Sequence, residues 1–86
     1  MQTTMYSYEQ GRVKPSFSIP KISKRESEVL HLIALEYTIK EIAEELFISP
    51  HTAISHRRNL MTRWEVKNAP GLVRKGFELG VLSLRV

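Results

Sequence analysis

The 86-residue sequence has no cysteine. Neither a disulfide framework nor a thiolate metal site can hold it together, and its composition fits a reducing cytoplasm. It has no apolar run approaching the roughly 20 residues of a membrane span. Its start, Met1-Gln2-Thr3-Thr4-Met5, lacks a basic stretch leading into an apolar core, so no signal peptide is expected. With only 4 glycines, none of them clustered, it offers no phosphate-cradling glycine loop, and nothing resembles a nucleophile elbow. The 3 histidines are poorly placed for metal. His51 and His56 are five apart, which turns them to different sides of a helix, whereas a two-histidine site wants i, i+4. His31 lies in another segment. The chain is therefore expected to be no enzyme and to carry no cofactor and no metal.

What the chain does carry is positive charge. A formal net charge of +4 and a pI of about 9.7 favour polyanionic partners. Nucleic acid comes first and an anionic membrane surface second, and we expect no membrane partner. The length allows one small domain with a modest core, so good helix caps or association must support it.

The most informative stretch is Thr38–Trp64. Ile39, Ile42, Ala43 and Leu46 follow the i, i+3, i+4, i+7 spacing of one buried helical face. Thr38-x-x-Glu41 is a capping box at its start. Ser49 can cap a second helix, with Pro50 at the first helical position, where its missing N–H costs nothing. Only Phe47 and Ile48 separate Leu46 from that cap. Two helices joined so tightly must cross steeply, which is the helix-turn-helix unit.

The second helix sorts its residues by face. Ala53, Leu60 and Trp64, flanked by His56 and Arg57, return toward the first helix. His51, Ile54, Ser55, Arg58 and Thr62 form the opposite row, which is small, polar or basic apart from Ile54. A helix of that kind fits the major groove of B-DNA.

The segment resembles the DNA-binding domain of LuxR-type bacterial transcription regulators. The resemblance is carried by Arg25-Glu26-x-Glu28-Val29-Leu30-x-Leu32-Ile33-Ala34, Lys40-Glu41-Ile42-Ala43-x-x-Leu46-x-Ile48-Ser49-x-x-Thr52, His56-x-x-Asn59-Leu60 and Val66-x-Asn68, between Ile22 and about Leu82. It implies a sequence-specific, double-stranded DNA-binding transcriptional regulator with its recognition helix, 50–64, in the major groove. By that resemblance Ile54, Ser55 and Arg58 would contact bases. Phosphate contacts would come from Lys40, Ser49, His51, Thr52, Arg57, Lys67 and Asn68. Relatives usually dimerise through the last helix, whose outward positions here are Gly71, Arg74, Lys75 and Glu78. These are not apolar, so the expected homodimer is weak, one that DNA would bring together. RNA polymerase or a regulatory protein is the further expected partner. Relatives often carry a receiver or ligand-binding domain ahead of this one, and none fits in Met1–Ile22, so we expect a stand-alone regulator or one controlled by a partner. Relatives usually have glycine where Glu36 ends the first helix, many helix-turn-helix proteins have it where Phe47 stands, and lysine usually occupies the position of Ile54.

Residues 1–22, with Gly11, Pro15 and Pro20 and no helical periodicity, read as an extended or disordered arm. Its Tyr6, Tyr8, Phe17 and Ile19 could dock on the domain, and its basic residues could lie near phosphate. Residues 23–86 read as the helix-turn-helix domain. Ser23-x-x-Glu26 is a second capping box, followed by an inward set of Val29, Leu30 and Ile33, with Leu32 and Tyr37 as further candidates. Asn68 can cap a last helix with Leu72, Val73, Gly76 and Phe77 inward, and Gly80 can stop it. Glu28, Glu41, Glu44 and Glu45, like Glu26, read as caps or solvated helix charges, and Arg63 and Arg74 as solubilising groups. The expected fold is all-α: four helices near 24–35, 39–46, 50–64 and 69–79, in a helix-turn-helix domain with an irregular N-terminal arm. Two other readings remain: a small helical protein-interaction adaptor without DNA binding, and a sigma-factor-like promoter-reading domain. His56-x-x-Asn59-Leu60 fits the LuxR type better than the sigma type.

Overall fold

A computed structural model describes residues 21–84. Apart from Lys21 and Ile22, the segment read as an N-terminal arm lies outside the described residues. Four helices follow in order: α1 (Lys24–Ala34), α2 (Ile39–Leu46), α3 (Pro50–Trp64) and α4 (Ala69–Glu78), with no strand among the described residues. α1 and α4 each stop one residue short of the expected ends, within the fraying range of a helix terminus.

Each helix begins where its capping residue stands. The Glu26 N–H donates to Ser23 Oγ at 3.0 Å and the Ser23 N–H to Glu26 Oε1 at 3.1 Å. Thr38 and Glu41 repeat the exchange at 3.2 and 2.8 Å. Ser49 Oγ accepts from the Thr52 N–H at 3.0 Å, and Asn68 Oδ1 from the Gly71 N–H at 2.9 Å. Each cap satisfies an orphan donor and is worth about 1 kcal/mol.

The helix ends share one device. The N–H groups of Tyr37, Ile48, Val66 and Val81 reach back to the carbonyls of Leu32, Ala43, Met61 and Gly76, the closing bond of the Schellman motif. That bond needs the preceding residue in the left-handed region. Glu36, Phe47, Glu65 and Gly80 are there, with φ of 69°, 58°, 57° and 80°. Only the last is glycine. Glu36 therefore ends its helix in the conformation that glycine favours, and accepts the steric cost of a side chain at positive φ.

The core has two connected parts. Val29, Ile42, Ala43 and Ala53 join α1, α2 and the start of α3. Leu30, Leu60, Trp64, Leu72 and Leu82 join α1, the end of α3, α4 and the following tail. Ile33 packs against both. Ala53, fully buried, lets α2 and α3 approach closely.

Two expectations need correction. Phe77 is 41% exposed rather than inward. Gly76 is why: a Cβ there would lie 2.8 Å from Leu82 Cδ1 and 3.1 Å from Leu30 Cδ2, so the inward line runs through Leu72 and Gly76 and leaves Phe77 on the flank. Tyr37 lies beyond the end of α1 and is also exposed. The tail after Gly80 is partly core, because Leu82 folds back over Gly76.

Candidate nucleic-acid interface

The tight joint between α2 and α3 fixes the candidate site. Phe47 turns the chain in the left-handed region, Ile48 packs on the core, and Ser49 opens α3. α3 is then committed on one side, since Ala53, Leu60 and Trp64 are buried. Its opposite side carries His51, Ile54, Ser55, Arg58 and Thr62 in successive turns. At 1.5 Å per residue α3 is about 22 Å long, enough to cross a major groove about 12 Å wide. No acidic residue lies anywhere between Pro50 and Trp64.

The residues read as base contacts all lie on this row. Arg58 is exposed, and Ile54 and Ser55 are partly buried. Ile54 belongs to neither part of the core. The residues read as phosphate contacts, Arg57 apart, are distributed over three helix starts. Lys40 is exposed in the first turn of α2, and Ser49, His51 and Thr52 open α3. Lys67 and Asn68 are exposed just ahead of α4. Ser49 Oγ already serves Thr52, accepting from its N–H and lying 3.0 Å from its Oγ1. Asn68 Oδ1 is likewise engaged, which leaves the Asn68 side-chain N–H groups and the Thr52 hydroxyl proton as donors these caps do not use, since the one hydroxyl proton of Ser49 goes to Thr52 Oγ1. Arg57 stands apart from the row. It is half-buried on the flank, one turn from both Ala53 and Leu60. On α4, Gly71 and Lys75 are partly buried, and Arg74 is paired with Glu78 at the surface.

The structure also assigns a role that sequence reasoning missed. Arg63 is not merely solubilising: its Nη1 and Nη2 donate to Glu26 Oε1 and Oε2 at 2.6 and 3.0 Å. Glu26 is buried, only 5% exposed, and so is no solvated helix charge. The Arg63 hydrogen bonds hold its carboxyl below the ordinary 4.5, against the opposing effect of burial and with help from the Ser23 N–H. The same contact holds Arg63 above its usual value. The pair ties the last turn of α3 to the first turn of α1, and so fixes the far end of the candidate reading helix. Glu41 is lowered as well, by the backbone and hydroxyl hydrogen bonds of Thr38 in its capping box.

Among the described residues no group of three or more histidines and carboxylates could hold a metal ion. No helix there is long and apolar enough to cross a membrane.

Comparison with known proteins agrees with the four-helix fold. Residues 20–75 match the family described as bacterial regulatory proteins, luxR family. The chain is 48% identical over 62 residues to the oxygen regulatory protein NreC of Staphylococcus haemolyticus, and 50% identical over 62 residues to NreC of Staphylococcus aureus strain NCTC 8325. Each match covers 72% of this chain but only 29% of the relative. Among solved structures, that of the transcription factor GerE superposes with a TM-score of 0.70 at 29% identity, over 72% of this chain and 92% of that one. These likenesses do not favour the adaptor or the sigma-like reading. The chain belongs to the luxR family of bacterial regulatory proteins, whose DNA-binding helix-turn-helix domain it carries.

Proposed function

We propose that this domain regulates transcription by laying α3 in the major groove of a specific duplex site. The observation that carries the reading is the row His51, Ile54, Ser55, Arg58 and Thr62. It lies opposite the buried side of a rigidly capped helix, and α3 contains no carboxylate to repel DNA. Arg58 reads a guanine, since a guanidinium can bridge O6 and N7. Ser55 bonds to several base edges and discriminates weakly. Ile54 packs on a thymine methyl. Lys40, Ser49, His51, Thr52, Lys67 and Asn68 hold the backbone and set the register. Arg57 reaches phosphate from the flank with its guanidinium while its stem stays against the domain.

A weak homodimer through Gly71, Arg74, Lys75 and Glu78 places two such helices on one site, and DNA supplies most of the drive to pair. RNA polymerase or a regulatory protein is the further partner, the cytoplasm is the setting, and the domain performs no catalysis of its own. Titrating the chain against random-sequence duplex DNA at two salt concentrations tests the class of function. Binding that weakens steeply with salt supports it, because phosphate neutralisation releases counterions. No binding at either concentration overturns it.

A further inference from the structure

Three local costs coincide at the end of α2. Phe47 has a φ of 58°, where an L side chain is crowded. Its ring is 94% exposed, the largest fraction among the exposed large apolar side chains of the described residues. Glu44 and Glu45 place carboxylates in the last turn, where the free carbonyls already concentrate negative charge and no basic residue offsets them. Glycine at position 47 and lysine at 44 or 45 would each suit the helix better. Departures from local preference gathered at one spot point to a role outside the fold.

Leu46 lies between these residues and lines a shallow groove of about 400 Å³ between α1 and α2. Leu32 and Leu46 supply its apolar surface, and Ser27, Glu28, His31 and Glu45 its polar surface. Glu28 shares its charge with Arg25 at 3.0 Å, while Glu45 is exposed. The charge of the domain is sorted accordingly: α3 has three arginines and no acid, and α2 has three glutamates and one lysine. The buried side of α3 packs toward α1 and α2, so its outward row faces away from this groove.

We infer that the α1–α2 groove, together with Phe47, the exposed residue that follows its Leu46, docks a basic amphipathic helix of a partner protein. A furrow between two helices takes a third helix by its apolar stripe, and lysines or arginines beside that stripe meet Glu28 and Glu45. Phe47 supplies an aromatic anchor that the partner covers. The same carboxylates repel a second nucleic acid, which makes the occupant a protein. That the groove stays open on DNA rests on the reading of α3 given above.

The test is a nuclear magnetic resonance titration of the ¹⁵N-labelled full chain. The probe is a synthetic helical peptide with a leucine stripe flanked by lysines, and the control has glutamate for every lysine. The expected result is saturable shifts confined to Ser27–Leu32 and Glu44–Ile48, absent with the control. Phe47→Gly, verified as folded by circular dichroism, weakens binding about ten-fold. Glu28→Gln and Glu45→Gln weaken it about three-fold each. Shifts on α3, equal binding of both peptides, or an unaffected Phe47→Gly variant overturns the proposal. Repeating the titration on the DNA-bound chain separates the two readings. Undiminished peptide affinity supports both, displacement of the peptide by DNA overturns the placement, and peptide binding by a chain that never binds DNA keeps the docking site while sinking the DNA reading.

Discussion

Arg63 grips the buried carboxylate of Glu26 with two hydrogen bonds, 2.6 and 3.0 Å long, across 37 positions of sequence. Glu26 also closes the capping box of α1 through the Ser23 N–H. One side chain thus sets the start of α1 and the end of α3. Glu26→Ala removes both contacts and is expected to cost about 2 kcal/mol in urea unfolding at pH 7.

The pair also gives the stability a pH dependence of definite sign. The folded-state pKa of Glu26 lies below its ordinary 4.5, so folding favours the ionised form. The stabilisation is fully present above about pH 4.5 and is lost as the pH falls through the lower folded-state value. Melting curves from pH 7 down to pH 3 should show this loss, and Glu26→Gln should flatten that part of the profile.

Phe47→Gly is expected to stabilise the domain, by about 0.5–1 kcal/mol. It relieves the left-handed cost, part of which returns as the greater freedom of glycine in the unfolded chain. So exposed a ring forfeits little packing. Thermal melts of the two proteins decide it.

Ala53 sits fully buried where α2 and α3 cross. Ala53→Leu must push the two helices apart, at a cost of about 1–3 kcal/mol. Because it also tilts α3, it should weaken DNA binding in a protein that still folds. Unfolding and binding measured on the same preparation give both effects.

Much of this was legible in the sequence, and the reasons are local. Ser23, Thr38, Ser49 and Asn68 announce helix starts because a cap is chosen by its nearest neighbours. The buried face of α2 is legible from spacing alone. Two features were not. Nothing near Arg63 names Glu26, since a pair made across 37 positions exists only once α1 packs on α3. The exposure of Phe77 follows from how closely Leu30 and Leu82 approach Gly76, which periodicity within α4 does not contain. Of the candidate site, the outward row was legible from the helical wheel, and so was the place of Arg57 on the flank beside Ala53 and Leu60, where it is half-buried.

Ile54 is the departure from the family pattern with the sharpest consequence. It is partly buried yet outside both parts of the core. Ile54→Lys should leave stability within about 0.5 kcal/mol, as surface changes usually do. It should raise non-specific DNA affinity and reduce preference for a thymine at the contacted step. Duplexes with thymine or uracil at that step, which differ by one methyl, isolate the contact. Equal binding to both by the unaltered protein means that Ile54 reads nothing.

The central claim, that the outward row of α3 reads sequence while the helix starts hold the backbone, is tested most directly by measuring Arg58→Ala and Lys40→Ala against a selected duplex site and its single-base-pair variants at fixed salt. Arg58→Ala should cost about 1–3 kcal/mol on the selected site and erase discrimination at one base pair. Lys40→Ala should weaken all duplexes alike and shallow the salt dependence. If Arg58→Ala instead weakens every duplex equally and leaves discrimination intact, Arg58 holds phosphate, and α3 does not read bases in the way described.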